Sequence, residues 1–436
     1  MNQTFDQLRE KIKNHSAQVA VIGLGYVGLP MCVEFTRAGY SVIGIDTDEN
    51  KIAQLKSGKS YILDVKDDTV RSILPHFTSV SQFDHLTKAD VIVICVPTPL
   101  RKTKDPDLSH IKAAVSQIAK YLRIGQLVIV ESTTYPGTTD EIILPELESG
   151  GLKAGSDFFI AFSPERIDPG NTKYNLRNTP KIVGGYTSQC GELAALLYQS
   201  IAEKIVKVSS TRSAEMTKLL ENTFRAINIG MVNEVAIMCD KLGIDTWEVI
   251  DAAATKPFGF MPFYPGPGLG GHCIPVDPHY LSWKLKTLNY SARFIELAGE
   301  INAAMPQYVV NKVSDALNGV KKSVNGAKIL ILGVAYKKDS NDIRESPALD
   351  IIKLLKDKGA DIVFNDPYIT QIRIDSDALQ SKSLNDSLLK SVDCVVIVTD
   401  HSNYDWNLVV ENSRLIVDTR NATRNISSGS SRIVKL

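Results

Sequence analysis

The first 210 residues alternate short apolar runs with amphipathic stretches. Five of these runs carry almost only aliphatic or aromatic side chains: Val19–Ile22, Ser41–Ile45, Asp90–Cys95, Leu127–Val130 and Phe158–Ala161. Strands that are apolar on both faces are typical of a parallel sheet covered by helices on each side. The pattern therefore predicts a doubly wound α/β domain. Residues 1–16 are predicted to form a preceding helix whose apolar side chains share one face: Phe5, Leu8 and Ile12.

The pattern changes near Ser209 to a long helix, predicted over 213–242, with Gly243 as its stop. Further helices are predicted to about Leu317. Strand–helix alternation then returns, with a helix over 347–358 and four apolar runs: Lys328–Leu332, Asp361–Phe364, Cys394–Val398 and Arg414–Val417. The sequence thus predicts two Rossmann-like doubly wound parallel-sheet domains joined by a central helical domain. The expected bounds are 17–208, 209–318 and 319–436, after an N-terminal helical extension.

Composition excludes several classes of protein. The chain has 436 residues, of which 44% are hydrophobic and 22% charged, as in ordinary globular proteins. Lys+Arg and Asp+Glu both number 49, so no basic field favours nucleic acid or an anionic membrane. The beginning of the chain is too polar for a signal peptide, and no apolar run approaches a membrane span. The six cysteines lack metal-ligand spacing, so we expect reduced thiols, no metal and a cytoplasmic location.

A glycine fingerprint follows the first predicted strand. Gly23, Gly25 and Gly28 have the spacing GxGxxG, and Asp46 ends the second predicted strand. This arrangement is typical of a loop that places a pyrophosphate at a helix N-terminus. Asp46 would accept hydrogen bonds from the ribose hydroxyls and repel a 2′-phosphate, so NAD is favoured over NADP, with FAD as an alternative. The predicted cofactor site also includes four residues near the strand ends: Tyr26, Val27, Thr98 and Thr133.

One cysteine belongs to a glycine-rich loop. Four of the seven residues before Cys273 are glycine, and Asp277 stands four residues after it. Glycine gives the backbone freedom and allows a ligand to approach closely. A thiolate in such a loop could add to an aldehyde carbon, after which a hydride passes to NAD and the thioester is hydrolysed. The alternative is a tight turn with an incidental buried cysteine.

Two polar positions of the long helix and one polar loop could assist this chemistry. Lys218 and Asn222 are four residues apart and therefore share one helix face. Lys218 could stabilise an oxyanion and Asn222 could donate a hydrogen bond beside it, unless Lys218 is only a solvated surface residue. Glu165 follows a buried strand in the loop 163–170 and could activate the water that hydrolyses a thioester. Alone, this segment would be no more than a polar loop.

The chemistry-bearing motifs occur in a fixed order along the chain. They are GLGYVG at 23–28, STT at 132–134, SPER at 163–166, KxxxN at 218–222, GGHCxxxD at 270–277 and KKDSNDIRES at 337–346. In this combination the chain resembles the UDP-glucose/GDP-mannose dehydrogenase family over nearly its whole length. The resemblance implies an NAD-dependent four-electron oxidation of a sugar nucleotide at carbon 6, from alcohol to carboxylate, for surface polysaccharide precursors. It also implies a homodimer formed through the central helices, or a higher homo-oligomer.

The resemblance implies a role for each matching residue. Cys273 is the nucleophile, while Lys218 and Asp277 form the polar network that moves the alcohol proton and stabilises the oxyanion. The other implied catalytic residues serve to position substrate or water and to transfer protons during hydrolysis: Asn222, Thr133 and Glu165. The implied substrate-binding residues are Glu165, Arg166, Lys218, Asn222, Tyr264, Gly270, Lys337, Arg344 and Arg420.

Two positions depart from the UDP-glucose enzymes of the family. Those enzymes have a Glu where this chain has Pro169 and a Ser where it has His272. The surrounding loops resemble the branch that acts on UDP-N-acetylhexosamines. UDP-N-acetylglucosamine is therefore the expected substrate, while UDP-N-acetylgalactosamine, UDP-N-acetylmannosamine and UDP-glucose remain open.

Two other interpretations share some of these features. A two-electron dehydrogenase of the hydroxyacid or 6-phosphogluconate type would share the fingerprint and the helical middle, but it would not need Cys273. A non-catalytic regulator that binds NAD or a sugar nucleotide would need neither Cys273 nor Glu165 for chemistry.

Overall fold

The computed structural model describes residues 3–62, 64–101, 105–168, 171, 173–271, 273–426 and 432–436. Pro169, Gly170 and His272, which belong to two of the motifs above, lie outside the described residues. The chain divides into two compact units. The first unit comprises Met1–Glu221 and His279–Tyr290, and the second unit comprises Asn222–Pro278 and Ser291–Leu436. Within the described ranges, no helix is both long enough and apolar enough to cross a lipid bilayer.

The first unit contains an eight-stranded sheet, in the order β3-β2-β1-β4-β5-β6-β7-β8. The inner strands are buried on both faces, which explains their continuous apolar sequences. The strands are β1 (Gln18–Ile22), β2 (Ser41–Ile45), β3 (Phe77–Val80), β4 (Val91–Ile94), β5 (Leu127–Val130), β6 (Phe159–Phe162), β7 (Lys181–Gly185) and β8 (Ile205–Val208).

Helices cover both faces of this sheet, so the doubly wound α/β prediction is confirmed. They are α1 (Gln3–Lys13), α2 (Gly28–Arg37), α3 (Glu49–Lys56), α4 (Asp67–Ile73), α5 (Ser109–Tyr121), α6 (Leu144–Leu147) and α7 (Ser188–Tyr198). The amphipathic first helix is also confirmed, since Phe5, Leu8 and Ile12 are its buried residues.

The far edge of the sheet differs from the sequence prediction. β7 pairs with β6 in the antiparallel direction, whereas the other neighbouring strands are parallel. Apolar periodicity did not identify β7, because it begins with Lys181 and ends with two glycines. It did not identify β8 either, because none of the four residues of that strand is buried and its two central residues are exposed.

The central part of the chain is helical, as predicted. Its helices are α8 (Thr211–Leu242), α9 (Thr246–Ala254), α10 (Asp277–Lys286) and α11 (Arg293–Asn318). Gly243 ends α8 with a φ of 69°, a left-handed conformation that favours glycine. The Ile244 N–H donates to Cys239 O at 2.9 Å, which closes the helix end. The predicted stop signal is therefore confirmed.

The second unit contains a five-stranded parallel sheet, in the order β10-β9-β13-β14-β15. This confirms the second Rossmann-like domain. Its strands are β9 (Lys328–Leu332), β10 (Asp361–Asn365), β13 (Cys394–Ile397), β14 (Leu415–Asp418) and β15 (Arg432–Lys435), beside a hairpin of β11 (Gln371–Ile374) and β12 (Asp377–Gln380). Its helices are α12 (Pro347–Asp357), α13 (Asp386–Ser391) and α14 (Trp406–Asn412).

Candidate active site

The three fingerprint glycines lie between β1 and α2 in the first unit. Gly23 has a φ of 92°, and a Cβ atom there would lie 2.6 Å from Cys95 O. A Cβ on Gly28 would collide with Gly23 O, so this residue permits the close approach of α2 to the loop. Gly25 differs, because a Cβ there would meet no atom within 4 Å. The loop therefore presents bare backbone at Gly25, next to the N-terminus of α2, where a pyrophosphate can be bound.

Asp46 is fixed at the end of β2 and faces the fingerprint loop. Its Oδ2 accepts a hydrogen bond from Leu24 N at 2.8 Å, and its Oδ1 accepts one from Asp48 N at 2.9 Å. Lys51 Nζ lies 3.2 Å from Oδ2. The carboxylate is thus held beside the turn between β1 and α2, where the fingerprint predicts the ribose of a dinucleotide.

The remaining predicted cofactor residues surround the carboxyl ends of the strands. Tyr26 is exposed, and Val27 is the residue that precedes α2. Thr98 is buried, and its carbonyl oxygen accepts a hydrogen bond from the Tyr280 hydroxyl at 2.8 Å. Thr133 is half-buried in the segment after β5. Together with Asp46 and the glycines, this arrangement fits a bound dinucleotide.

Cys273 differs from the other five cysteines in its exposure. Cys32, Cys190, Cys239 and Cys394 are buried and Cys95 is half-buried, whereas Cys273 is exposed. Burial also raises the pKa of the Cys394 thiol to about 12. A buried thiol of this kind is a poor nucleophile at neutral pH. Cys273 is therefore the cysteine most open to a ligand in solvent.

The glycine-rich loop before Cys273 is supported by a buried chain of amides in the second unit. Gly266 N donates to Asn233 Oδ1 at 2.9 Å, and Asn233 Nδ2 donates to Asn302 Oδ1 at 2.9 Å. Asn302 Nδ2 in turn donates to Ala226 O at 3.1 Å. Because both side-chain amides are buried, they fix the start of the loop against α8 and α11.

The end of the same loop contacts residues that follow β9. Gly271 N donates to Arg344 O at 2.9 Å, and a Cβ on Gly270 would collide with Tyr336. A Cβ on Gly266 would lie 2.6 Å from Arg420 Nη1. These glycines are thus needed for close approach, and they bring the loop that carries Cys273 next to Arg344 and Arg420.

Asn222 and Asp277 form a buried hydrogen-bonded pair. Asn222 Nδ2 donates to Asp277 Oδ2 at 2.5 Å, and both residues are buried. Asp277 begins α10, and its N–H donates to Cys273 O at 2.8 Å, so the backbone links the carboxylate to the cysteine turn. Lys218 lies one helical turn before Asn222 and is also buried. The interpretation of Lys218 as a solvated surface residue is therefore wrong.

Glu165 and Arg166 follow β6 in the first unit. Glu165 is buried, its Oε1 accepts a hydrogen bond from Ile167 N, and its Oε2 has no hydrogen-bond partner among the described residues. Arg166 is held by Glu221, with 2.8 Å between Arg166 Nη2 and Glu221 Oε1. Arg166 Nη1 also donates to Pro180 O. Glu165 Oε2 is therefore a carboxylate oxygen that can still accept a proton or a hydrogen bond.

The other predicted substrate residues belong to the second unit. The Tyr264 hydroxyl donates to Asp251 Oδ1 at 2.9 Å, and its ring stacks on Trp247 with centroids 5.8 Å apart. Lys337 is half-buried, and Arg344 is exposed and paired with Asp342. Arg420 Nε donates to Val398 O at 2.9 Å. The unit thus combines an aromatic residue and three cations with the glycine-rich loop.

The sequence comparisons decide the family. Three profiles of the UDP-glucose/GDP-mannose dehydrogenase family match in order: the NAD binding domain at 17–202, the central domain at 212–304 and the UDP binding domain at 330–425. The chain belongs to this family. It is an NAD-dependent UDP-sugar dehydrogenase, which confirms the resemblance, the cofactor NAD and a UDP-sugar as substrate.

Relatives of this dehydrogenase cover nearly its whole length. A UDP-N-acetyl-D-glucosamine 6-dehydrogenase of Pseudomonas aeruginosa is 36% identical over 91% of this chain and 93% of its own length. A UDP-N-acetyl-D-mannosamine dehydrogenase of Pyrococcus horikoshii is 34% identical over 93% of this chain and 95% of its own length. The solved structure of a UDP-D-ManNAc dehydrogenase of that organism superimposes with a TM-score of 0.87 and 33% identity, over 96% of this chain and 98% of the other.

Some buried polar residues of the dehydrogenase were not identified from the sequence. Glu215 on α8 accepts hydrogen bonds from Thr139 N at 2.9 Å, Thr139 Oγ1 at 2.7 Å and Gly137 N at 2.6 Å. Burial raises the pKa of Glu215 to about 7, although these bonds favour its charged form. Glu131 follows β5 and is buried against Lys181 and Tyr198. The available sequence signal for Glu131 was a charged residue directly after the apolar run of β5.

Asp46→Ala is expected to reduce kcat/KM for NAD about 10-fold and to narrow the preference for NAD over NADP. The substitution removes ribose hydrogen bonds of about 1 kcal/mol each and the charge that repels a 2′-phosphate. Asp46→Asn is the matched control, because it can still accept the hydrogen bond from Leu24 N while losing the charge. Steady-state kinetics with both cofactors test this. Higher kcat/KM with NADP than with NAD in the unmodified enzyme would contradict the role of Asp46.

Proposed function

We propose that this dehydrogenase oxidises UDP-N-acetylglucosamine at carbon 6 to the corresponding uronic acid, through a covalent adduct on Cys273. The observation that carries the proposal is the exposed thiol at the end of a rigidly supported glycine-rich loop. An alcohol dehydrogenase needs no nucleophile, whereas an aldehyde must first be attacked before it can lose a second hydride. Cys273 provides a residue suited to that attack.

The first oxidation converts the primary alcohol to an aldehyde. When NAD is bound, it supplies the hydride acceptor for this step and for the second oxidation. Lys218 and Asp277 are proposed to take the alcohol proton and stabilise the developing negative charge on oxygen. Asn222, which is held by its hydrogen bond to Asp277, positions the substrate or a water. Thr133 is proposed to assist proton transfer.

The second oxidation uses Cys273 and Glu165. The thiolate adds to the aldehyde carbon to give a thiohemiacetal, which becomes a thioester when it loses its hydride. A water then attacks the thioester carbonyl, and Glu165 accepts the proton. The C–S bond breaks, which returns the thiolate and releases the acid. Arg166, Tyr264, Gly270, Lys337, Arg344 and Arg420 are proposed to bind the UDP-sugar.

UDP-N-acetylmannosamine is the second candidate substrate. The relatives named above include enzymes for both sugars at nearly equal identity, 36% and 34%. We favour UDP-N-acetylglucosamine because the loops around Glu165 and Cys273 resemble enzymes of that specificity. The two sugars differ only in configuration at carbon 2, so both fit the same proposed chemistry at carbon 6.

The enzyme is expected to form two NADH per molecule of UDP-N-acetylglucosamine, with the uronic acid as the final product. Incubation with NAD and a panel of UDP-sugars tests this, with NADH followed by absorbance and the acid by mass spectrometry. UDP-N-acetylmannosamine, UDP-N-acetylgalactosamine and UDP-glucose serve as the comparison substrates. One NADH with accumulating free aldehyde would contradict the thioester route, while binding without turnover would favour a regulator.

A homodimer is the proposed assembly. The α8 surface in the second unit exposes large apolar side chains at a seven-residue spacing: Phe224, Met231 and Met238, followed by Leu242. An apolar stripe of this kind is typical of a helix that packs on a second copy. Light scattering should give twice 47.9 kDa, and Met231→Glu combined with Met238→Glu should give the monomer. An unmodified enzyme that is monomeric at micromolar concentration would contradict the proposal.

A further inference from the structure

A buried ion pair lies beneath the loop that carries Glu165. Lys181 begins β7 and Glu131 follows β5, and both residues are almost completely buried. Lys181 Nζ donates to Glu131 Oε2 at 2.6 Å, and the Tyr198 hydroxyl donates to Glu131 Oε1. A buried ion pair is generally no more stabilising than apolar residues of similar size. Packing alone therefore gives no reason for this pair.

The ammonium group of Lys181 also reaches the Glu165 loop. Lys181 Nζ donates to Pro164 O at 3.3 Å and lies 3.8 Å from Glu165 Oε2. Glu165 Oε1 is bonded to Ile167 N, whereas Oε2 has no hydrogen-bond partner in the described part of the chain. One cation thus lies between a fully bonded carboxylate and a carboxylate that has an oxygen available for chemistry.

The charges around this ammonium are few and can be assigned. The titratable groups that face it are Glu131, Glu165, Tyr198 and Cys95. Burial raises the pKa of the Tyr198 phenol and the Cys95 thiol, so both are neutral near pH 7. Burial raises the pKa of Glu131 to about 7, and Lys181 opposes this shift. Burial lowers the pKa of Lys181, but the attraction of Glu131 and Glu165 outweighs it and raises the pKa overall.

We propose that Lys181 is a positioning residue for Glu165, and that Glu131 and Tyr198 hold Lys181 in place. The ammonium group holds Glu165 Oε2 in place to accept the proton of the hydrolytic water. In that step the water oxygen bonds to the thioester carbon and its proton passes to Glu165. The C–S bond then breaks with its electron pair returning to Cys273, and Glu165 releases the proton to solvent. The inference rests on the proposed role of Glu165.

Lys181→Met tests this inference in the full-length enzyme with NAD and UDP-N-acetylglucosamine. Acid formation should fall about 10- to 100-fold, because Glu165 Oε2 loses the cation that holds it in place to accept the proton. A covalent adduct should accumulate on Cys273, because both oxidations precede hydrolysis. Lys181→Arg keeps the charge and should restore most of the rate without accumulation of the adduct.

A double variant separates this role from a structural one. Glu131→Gln combined with Lys181→Met removes both charges of the ion pair, and its folding is checked by circular dichroism and thermal melting. It should still form acid slowly and accumulate the adduct. A folded double variant that forms acid at the normal rate with no adduct would overturn the inference.

Glu165→Gln, assayed in parallel, distinguishes a failure of the role inferred for Lys181 from a failure of the role proposed for Glu165. If Glu165→Gln accumulates the adduct and the Lys181 variants do not, the role of Lys181 is wrong and that of Glu165 stands. If Glu165→Gln turns over normally, the proposed role of Glu165 itself is wrong, and the inference about Lys181 is wrong with it.

Discussion

Cys273→Ser is expected to abolish formation of the uronic acid, with a loss of about 10³-fold or more, as is usual when a covalent nucleophile is removed. A serine hydroxyl is far less acidic than a thiol, so it adds poorly to the aldehyde. Because Cys273 is exposed, the substitution should change the free energy of unfolding by no more than about 0.5 kcal/mol. The measurements are acid by mass spectrometry and NADH by absorbance.

Cys239→Ser is the matched control, since it removes a thiol from the same unit at a buried position. It should lose some stability but keep the stoichiometry of two NADH per sugar. The first oxidation by Cys273→Ser is followed separately, and slow NADH formation in that step is compatible with the proposal. Uronic acid made by Cys273→Ser at a near-normal rate would show that another residue is the nucleophile.

The fold was largely predictable because its signals are local. Continuous apolar runs such as Val91–Ile94 arise from burial on both faces of a strand, and the stop at Gly243 arises from one left-handed residue. Lys181 shows where this reasoning fails. A charged residue at the start of a strand suggests exposure, yet Lys181 is buried because Glu131 neutralises it from another strand. Because the two paired residues are 50 positions apart, their pairing leaves no periodic pattern in the sequence.

The candidate site was predictable as a set of residues but not as an arrangement. The spacing of Lys218 and Asn222 predicts a shared helix face, but not that Asn222 bonds Asp277, which follows 55 residues later. The glycines before Cys273 predict close approach, but not the atoms approached. Gly271 contacts Arg344, and Gly266 is held by Asn233. These partners are set by tertiary packing, which local sequence patterns do not encode.

Glu165→Gln is expected to slow acid formation about 10²- to 10⁴-fold, the usual contribution of a general base. The glutamine can keep the hydrogen bond from Ile167 N, but its amide group cannot accept a proton from water. Both oxidations precede hydrolysis, so they should still occur once. A rapid burst of two NADH per active site should therefore be followed by a slow steady rate. Stopped-flow absorbance measures the burst, and intact mass measures the adduct.

Two further variants locate the defect. Glu203→Gln makes the same chemical change at an exposed position of the same unit and should behave as the unmodified enzyme. Cys273→Ser combined with Glu165→Gln removes the attachment point, so neither the stable thioester mass nor the burst of two NADH should appear. If Glu165→Gln instead gives linear NADH formation at the normal rate with no adduct, another group accepts the proton of the hydrolytic water. Because Glu165 Oε2 is the buried carboxylate oxygen left without a hydrogen bond in the described structure, that result would require a different explanation for its burial.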